Sequence, residues 1–282
     1  MVIRFFFLPD SPPLSTLSQC RYFHRTPTAT GVSTSSYRGG SRKGMDLTFA
    51  SVVTSLPSSA PDESSDCIRG GILLRTIRRV RDGGIVSGPS RLVDEILSQS
   101  GAESISELVK SKWENDTFAF SSTVPSSRPS LRIIPRNNSP TATDPFRCPR
   151  IGLDLSHRST KNSPWDPRVT FVCKPYRYII NPELLTFNGR PQTFVGVHDR
   201  LSESTGGSIA ELAKAITNVT GIKEQTVLKY IESLTLGLEG KRSLDKFIRI
   251  KTQSVGDYLT MVGALRRQSS SVIVVESDSE AE

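Results

Sequence analysis

GGILLRTIRRVRDGGIVSGPSRLVDEIL, residues 70–97, packs a strand, a turn and a helix start into one stretch. Ile72, Leu73 and Leu74 are apolar, and with Ile77 and Val80 the β-branched and apolar content of residues 70–80 reads as a strand. Asp82-Gly83-Gly84 is a turn. Ser87-Gly88-Pro89-Ser90 then opens a helix: Ser87 or Ser90 is the expected cap, Pro89 suits the first turn, and Gly101 ends it. Arg75 follows the leucines with no break. A strand-borne arginine is always charged and presents a planar fork suited to phosphate or to a polarised water. The Gly-Pro-Ser turn would aim backbone N–H groups and a helix start at an anion, and Arg91 adds charge just beyond. The plainer alternative is an edge-strand arginine snorkelling beside an ordinary helix cap.

Outward from that stretch, residues 44–56 (GMDLTFASVVTSL) read as a preceding strand and 57–66 as a polar loop. A short helix is expected at 105–113. Residues 121–145, rich in Ser, Pro, Thr and Asn, read as a loose insertion. Structure resumes at CPRIGLDLS, and again at TFVCKPYRYII, residues 170–180, expected to be a strand whose proline marks an edge or a bulge. From Ser208 the apolar spacing becomes helical: Ile209, Leu212, Ala213 and Ile216, then Val227, Ile231 and Leu234. Ser208 and Glu211 form a capping-box pair, Thr220-Gly221-Ile222 breaks two helices, and a further helix is expected over 242–265. A helix, a glycine turn and a second helix resemble a helix-turn-helix with Lys223, Glu224, Gln225 and Lys229 outward; a plain helical hairpin fits the same pattern.

The chain of 282 residues is long enough for one sizeable domain or two small ones, and 36% hydrophobic content permits a core. A net charge of +8 favours polyanionic partners, nucleic acid above all. Cys20, Cys67, Cys148 and Cys173 form no CxxC, and no histidine stands at ligand spacing from them, so no zinc motif is present. They read as reduced thiols of an intracellular protein. No apolar run approaches a bilayer span. Residues 1–43 hold six Arg or Lys against one acid, Asp10. That suits a disordered basic tail, a mitochondrial transit peptide or an imperfect gene start, and prolines at 9, 12 and 13 interrupt any amphipathic helix.

Four segments, in order, resemble the alkyladenine (3-methyladenine) DNA glycosylase family: GILLRTI, SGPSRLVDEIL, PRIGLDLS and KPYRYII. They cover roughly residues 44–197. The resemblance implies an α+β domain over 44–200, with a curved, mostly antiparallel sheet and flanking helices; it does not reach residues 200–282, where the helical spacing alone gives a C-terminal helical appendage at 205–265. It implies a monomer that binds double-stranded DNA, flips a damaged purine from the helix and hydrolyses its N-glycosidic bond with an activated water, without metal or cofactor. Arg75 would orient that water. Ser90 and Arg91 would contact phosphate, Leu153 would lie in the segment that helps hold the water, and Lys174 and Arg177 would frame the last strand or grip the backbone. Arg42 and Lys43 join the DNA-binding set. Lys43 stands where the family intercalates a tyrosine, and Ala50 falls near its discriminating asparagine. The family's general-base glutamate has no counterpart: residues 1–36 contain no glutamate. Asp46 and Asp154 are the acids inside the matched strand segments, and Asp46 is taken as the replacement base. The alternative is a catalytically inactive DNA-binding or chromatin-associated adaptor.

The end of the chain carries its own signal. Val272, Ile273, Val274 and Val275 are a β-branched run followed by Glu276, Asp278 and Glu280. Such a run adds as a strand to a partner's sheet edge, with acids meeting a basic rim. It resembles a motif that binds the small ubiquitin-like modifier, SUMO, in a disordered tail at 266–282, and it implies a nuclear protein.

Overall fold

The computed structural model describes residues 2–5, 18–26, 36–52, 67–117, 132–135, 144–185 and 188–279. Most of the expected insertion at 121–145, and residues 27–35 of the basic N-terminus, lie outside them. The chain mixes helices with small, mostly antiparallel sheets, an α+β architecture in two compact units, Met1–Thr141 and Ala142–Glu282. The division falls inside the expected insertion, so the stretch 44–200 is shared between the units, and residues 205–265 belong to the second unit's own core.

In the first unit, β1 (Val2–Phe5) pairs in parallel with a later strand, β7. Strands β2 (Ser18–Phe23), β3 (Met45–Val52) and β4 (Cys67–Leu73) form an antiparallel three-stranded sheet. The expected strand over 70–80 is two strands in different sheets. β4 ends at Leu73, and β5 (Thr76–Arg78) pairs instead with β6 (Ile85–Ser87) around the Asp82-Gly83-Gly84 turn. The switch of partners falls at Leu74-Arg75: the Leu74 N–H still donates to Met45 O (3.0 Å), while the Arg75 carbonyl accepts the Gly88 N–H (2.7 Å). Arg75 is thus a junction between a sheet, a hairpin and a helix start.

Helix α1 (Pro89–Ser100) follows, with Pro89 in its first turn and Gly101 at its end in the left-handed region. Its N-cap is neither of the expected serines but Gly88, whose φ of 116° suits a residue without Cβ. Residues 105–112 form a short helix, α2 (Ile105–Glu107), running into a single π-turn. Leu92, Val93, Ile96 and Leu97 of α1 pack on Met45, Leu47, Leu74 and Ile77, with Phe23 against Trp113 at 5.7 Å. β7 (Arg132–Pro135) is the partner of β1.

In the second unit, β8 (Phe146–Cys148) and a later strand, β9, form an antiparallel pair. The expected strand over 170–180 begins as a helix, α3 (Pro167–Val172), capped by Asp166, which accepts the Arg168 N–H (2.8 Å). Asp followed by Pro is a helix-start pair, and here it overrides the β-branched content behind it. Only Arg177–Ile179 is strand, β9. Helices α4 (Arg190–Ser202), α5 (Ile209–Thr220), α6 (Glu224–Leu238) and α7 (Val255–Ser279) build one core with Phe146, Cys148, Leu155 and Ile179. Ser208 caps α5 through the Glu211 N–H, and Gly221 ends it with φ 69°, as its sequence signals require. The helix expected over 242–265 is instead a 3-10 turn, Leu244–Lys246, and then α7. α7 runs through Val272–Val275 to Ser279, so the backbone of the SUMO-like run is helical rather than a disordered tail. A strand-adding role there requires the last turns of α7 to unwind.

Candidate functional site

The expected site residues divide between the two units. Asp46, Arg75, Arg42, Lys43, Ser90 and Arg91 belong to the first; Leu153, Lys174, Arg177 and Val272–Val275 belong to the second.

In the first unit the strand register gathers the candidates at one end of the sheet. On β3, Asp46 stands opposite Tyr22 of β2 and opposite Leu73 of β4. One residue beyond β2, the His24 N–H donates to Gly44 O (3.0 Å), which sets His24 diagonally across from Asp46. Its ring closes that diagonal: His24 Nε2 lies 3.1 Å from Asp46 Oδ2. The other carboxylate oxygen, Oδ1, is buried and has no hydrogen-bond partner among the described residues. Gly44 is required here for space. Its backbone is in no unusual region, but a Cβ on it would meet His24 Cε1 at 2.6 Å and Nδ1 at 2.7 Å. Arg75, half-buried, follows β4 directly after Leu74, whose N–H donates to Met45 O. Asp46, His24 and Gly44 therefore share the end of the β2–β3–β4 sheet from which the chain leaves β4 through Leu74 and Arg75.

The neighbouring rim is braced to α1. A 3-10 turn, Gly40–Arg42, leads into β3. Ser90 Oγ donates to Gly40 O (3.1 Å), and the Lys43 ammonium pairs with Asp94. Ser90 and Lys43 thus hold the loop to the helix, Lys43 through a side chain that is mostly covered. Arg42 and Arg91, one on each braced element, are exposed.

In the second unit, Leu153 packs against the core, Lys174 is exposed, and Arg177 donates from a terminal nitrogen to Thr193 Oγ1 (3.1 Å) on α4. Asp154, the other candidate base, accepts from Ser156 N (2.9 Å) and Ser156 Oγ (2.6 Å), a local turn contact. The unit also holds an ion pair: Arg266 of α7 grips Asp199 of α4 with both terminal nitrogens, at 2.7 and 2.6 Å. Burial raises the Asp199 carboxyl, but the adjoining His198 ring and the Arg266 fork outweigh it and hold the group below the ordinary carboxylate value. Burial pushes both Cys148 and Cys173 up to about 12, so neither is a thiolate nucleophile at neutral pH. Among the described residues no three His, Cys, Asp or Glu side chains converge as a metal site, and no helix is long and apolar enough to cross a membrane.

Sequence patterning missed His24. It lies in the stretch read as a basic tail, and only the β2–β3 register brings it to Asp46.

The chain is 30% identical over 172 residues, 60% of its length, to a protein of Acanthamoeba polyphaga mimivirus described as uncharacterized protein L759. The matched region spans 65% of that viral protein. No family model matches the chain, and no solved structure matches it.

Proposed function

We propose that the protein is a DNA-binding hydrolase of the alkyladenine glycosylase type, which removes alkylated or deaminated purines flipped out of duplex DNA in the nucleus. The observation that carries the proposal is the Asp46–His24 pair at the sheet end where Arg75 leaves β4. A carboxylate oxygen buried without a donor is costly and calls for a polar visitor. His24 holds one oxygen of Asp46 and leaves the other for water. In the reaction the water oxygen bonds to C1′ of the sugar and its proton passes to Asp46. The bond from C1′ to the purine breaks, and its electron pair leaves with the base. Arg75 supplies fixed positive charge beside that water. Arg42 and Arg91 meet phosphates, the sequence-independent part of DNA binding. The described β2–β3–β4 sheet would be the part of the curved glycosylase-type sheet that carries the base, while Leu153, Lys174 and Arg177 would serve DNA from the second unit.

The test is a single-turnover assay on duplex oligonucleotides carrying hypoxanthine, ethenoadenine or an alkylated purine, scored as alkali-labile abasic sites. Wild type cleaves, and Asp46→Asn and Arg75→Ala each fall by roughly 10²–10⁴-fold, the range for removing a positioned acid–base group. Gly44→Ala, whose methyl displaces the His24 ring, falls toward Asp46→Asn while its melting temperature stays near wild type. Salt-sensitive duplex binding without cleavage would transfer the site to a non-catalytic adaptor of DNA. Neither cleavage nor binding would remove both.

A further inference from the structure

The second unit exposes an unusual set of rings. Trp165 is 72% exposed, Tyr178 56%, Tyr176 54% and Phe171 47%. These side chains remove little apolar surface from water where they stand, and clustered exposed aromatics mark an interaction surface. Their positions follow from local structure. Tyr178 is the outward residue of β9 and stands directly opposite Arg147 of β8, whose guanidinium lies 6.0 Å from the ring centroid. Arg177 turns the other way, to Thr193, so Tyr176 and Tyr178 flank it on the exposed side. Tyr176 and Phe171 pair with centroids 6.2 Å apart. Trp165 follows Pro164, whose carbonyl accepts Thr170 Oγ1 (2.9 Å), and this ties the tryptophan loop to α3.

Charge is interleaved with the rings. Residues 147–178 hold seven Lys or Arg against two Asp. Both acids accept local hydrogen bonds and stay ionised: Asp154 from Ser156, and Asp166 from the backbone N–H groups of Lys161 and Arg168, which hold its carboxyl below the ordinary value. The net charge of the stretch is therefore +5. π-faces alternating with cations fit one ligand chemistry, unpaired bases on a phosphate backbone. Such surfaces stack successive bases without sequence preference. A duplex hides its base faces and an apolar protein partner has no use for the cations, so neither accounts for both features.

We infer that the α3–β9 face binds single-stranded DNA by stacking bases on Trp165, Tyr176 and Tyr178, with Arg147 and Lys174 meeting phosphates. The choice of DNA rests on the proposed function; the stacking surface itself does not.

The test is fluorescence titration of the full chain with oligo(dT), alongside the matched RNA, duplex DNA and a polyglutamate control. Wild type binds the DNA strand with a salt-dependent affinity. Trp165→Ala and Tyr178→Ala each weaken it about 5- to 150-fold, the span for loss of one stacked base. Trp165→Phe restores most of that loss, which charge attraction alone would not produce. All these side chains are exposed, so far-UV circular dichroism is expected to be unchanged. Single-strand affinity that is indifferent to the ring substitutions, or equal binding of polyglutamate, overturns the proposal, and tighter binding of RNA overturns the choice of DNA. Excision measured on the same variants separates the two readings: loss of strand binding in Tyr178→Ala, in a protein that never cleaves lesions, leaves this face standing and the hydrolase refuted.

Discussion

At the crossing of α6 and α7 backbone lies close against backbone, and Gly237→Ala measures what that approach is worth. An added Cβ at Gly237 would collide with the Thr260 carbonyl and lie 2.7 Å from Ala264 N and 2.9 Å from Gly263 Cα. Ordinary contact begins near 3.4 Å, so backbone on the facing helix must retreat by more than half an ångström. No side chain can swing aside to relieve it. Separating the helices strains the Thr260 Oγ1 to Ser233 O bond (2.9 Å) and loosens Leu234, Leu259 and Val262, which are fully buried. Overpacking of this kind costs about 1–3 kcal/mol, and a weakened hydrogen bond adds about 1 kcal/mol. Alanine returns up to about 1 kcal/mol through helix propensity. The net is a loss of about 1–3 kcal/mol, or roughly 4–12 °C in melting temperature for a unit of this size. Thermal unfolding at 222 nm reads it, with Leu238→Ala, a partly exposed neighbour, as the control. Gly263 faces the same crossing, and its Cβ would meet Leu238 N at 2.8 Å. The double alanine variant should therefore lose less than the sum of the singles, because the first substitution has already parted the helices. A Gly237→Ala protein that melts at or above the wild-type temperature would refute this account, since helix propensity would then outweigh a contact that exerts no constraint.

Two further outcomes follow from buried titratable groups. The Asp199 carboxyl is depressed in the folded chain, so its pair with Arg266 contributes fully above the ordinary carboxylate pKa near 4 and is lost as pH falls through the lower folded value. Because Asp199 keeps 42% of its side chain exposed, Asp199→Asn should cost only about 1–2 kcal/mol at pH 7 and flatten the acid limb of a urea-stability profile below pH 4; an unchanged acid limb would remove the pair from the account. With their thiols pushed up to about 12, Cys148 and Cys173 should react with a maleimide at pH 8 orders of magnitude more slowly in native protein than in 6 M urea, and equal rates would contradict their burial.

Local signals were legible where a turn or a cap decides the backbone. Gly101 and Gly221 end helices in the left-handed region, Ser208 caps α5, and the Asp82-Gly83-Gly84 turn closes a hairpin. Misreadings arose where one local signal defeated another. Asp166-Pro167 starts a helix in a segment whose valines and aromatics favour a strand. Gly88 takes the cap position between two flanking serines: Ser90 lies inside the first turn, where its hydroxyl binds Gly40 O, and Ser87 contacts Thr76 Oγ1 at 3.4 Å. The strand over 70–80 split because hydrophobic content reports that a segment is extended, and says nothing of which neighbour it pairs with.

The candidate site follows the same division. Asp46 and Arg75 stand out as chemical types within apolar segments, but what orients Asp46 is a histidine 22 residues earlier, packed on a glycine two residues earlier, joined by register alone. Under the proposed function, the same register would supply a carboxylate in place of an upstream glutamate. A strand-borne acid at the sheet end, oriented by an imidazole from the adjoining strand, occupies the end of the sheet to which the half-buried arginine is delivered. The requirement for glycine at 44 is then the sharpest constraint on the site. It is set by neither backbone conformation nor core packing, and it disappears if the His24 ring has no work to do there. A chain that accepts alanine at 44 with its lesion-excising activity intact would show that the imidazole and the carboxylate merely stand next to one another.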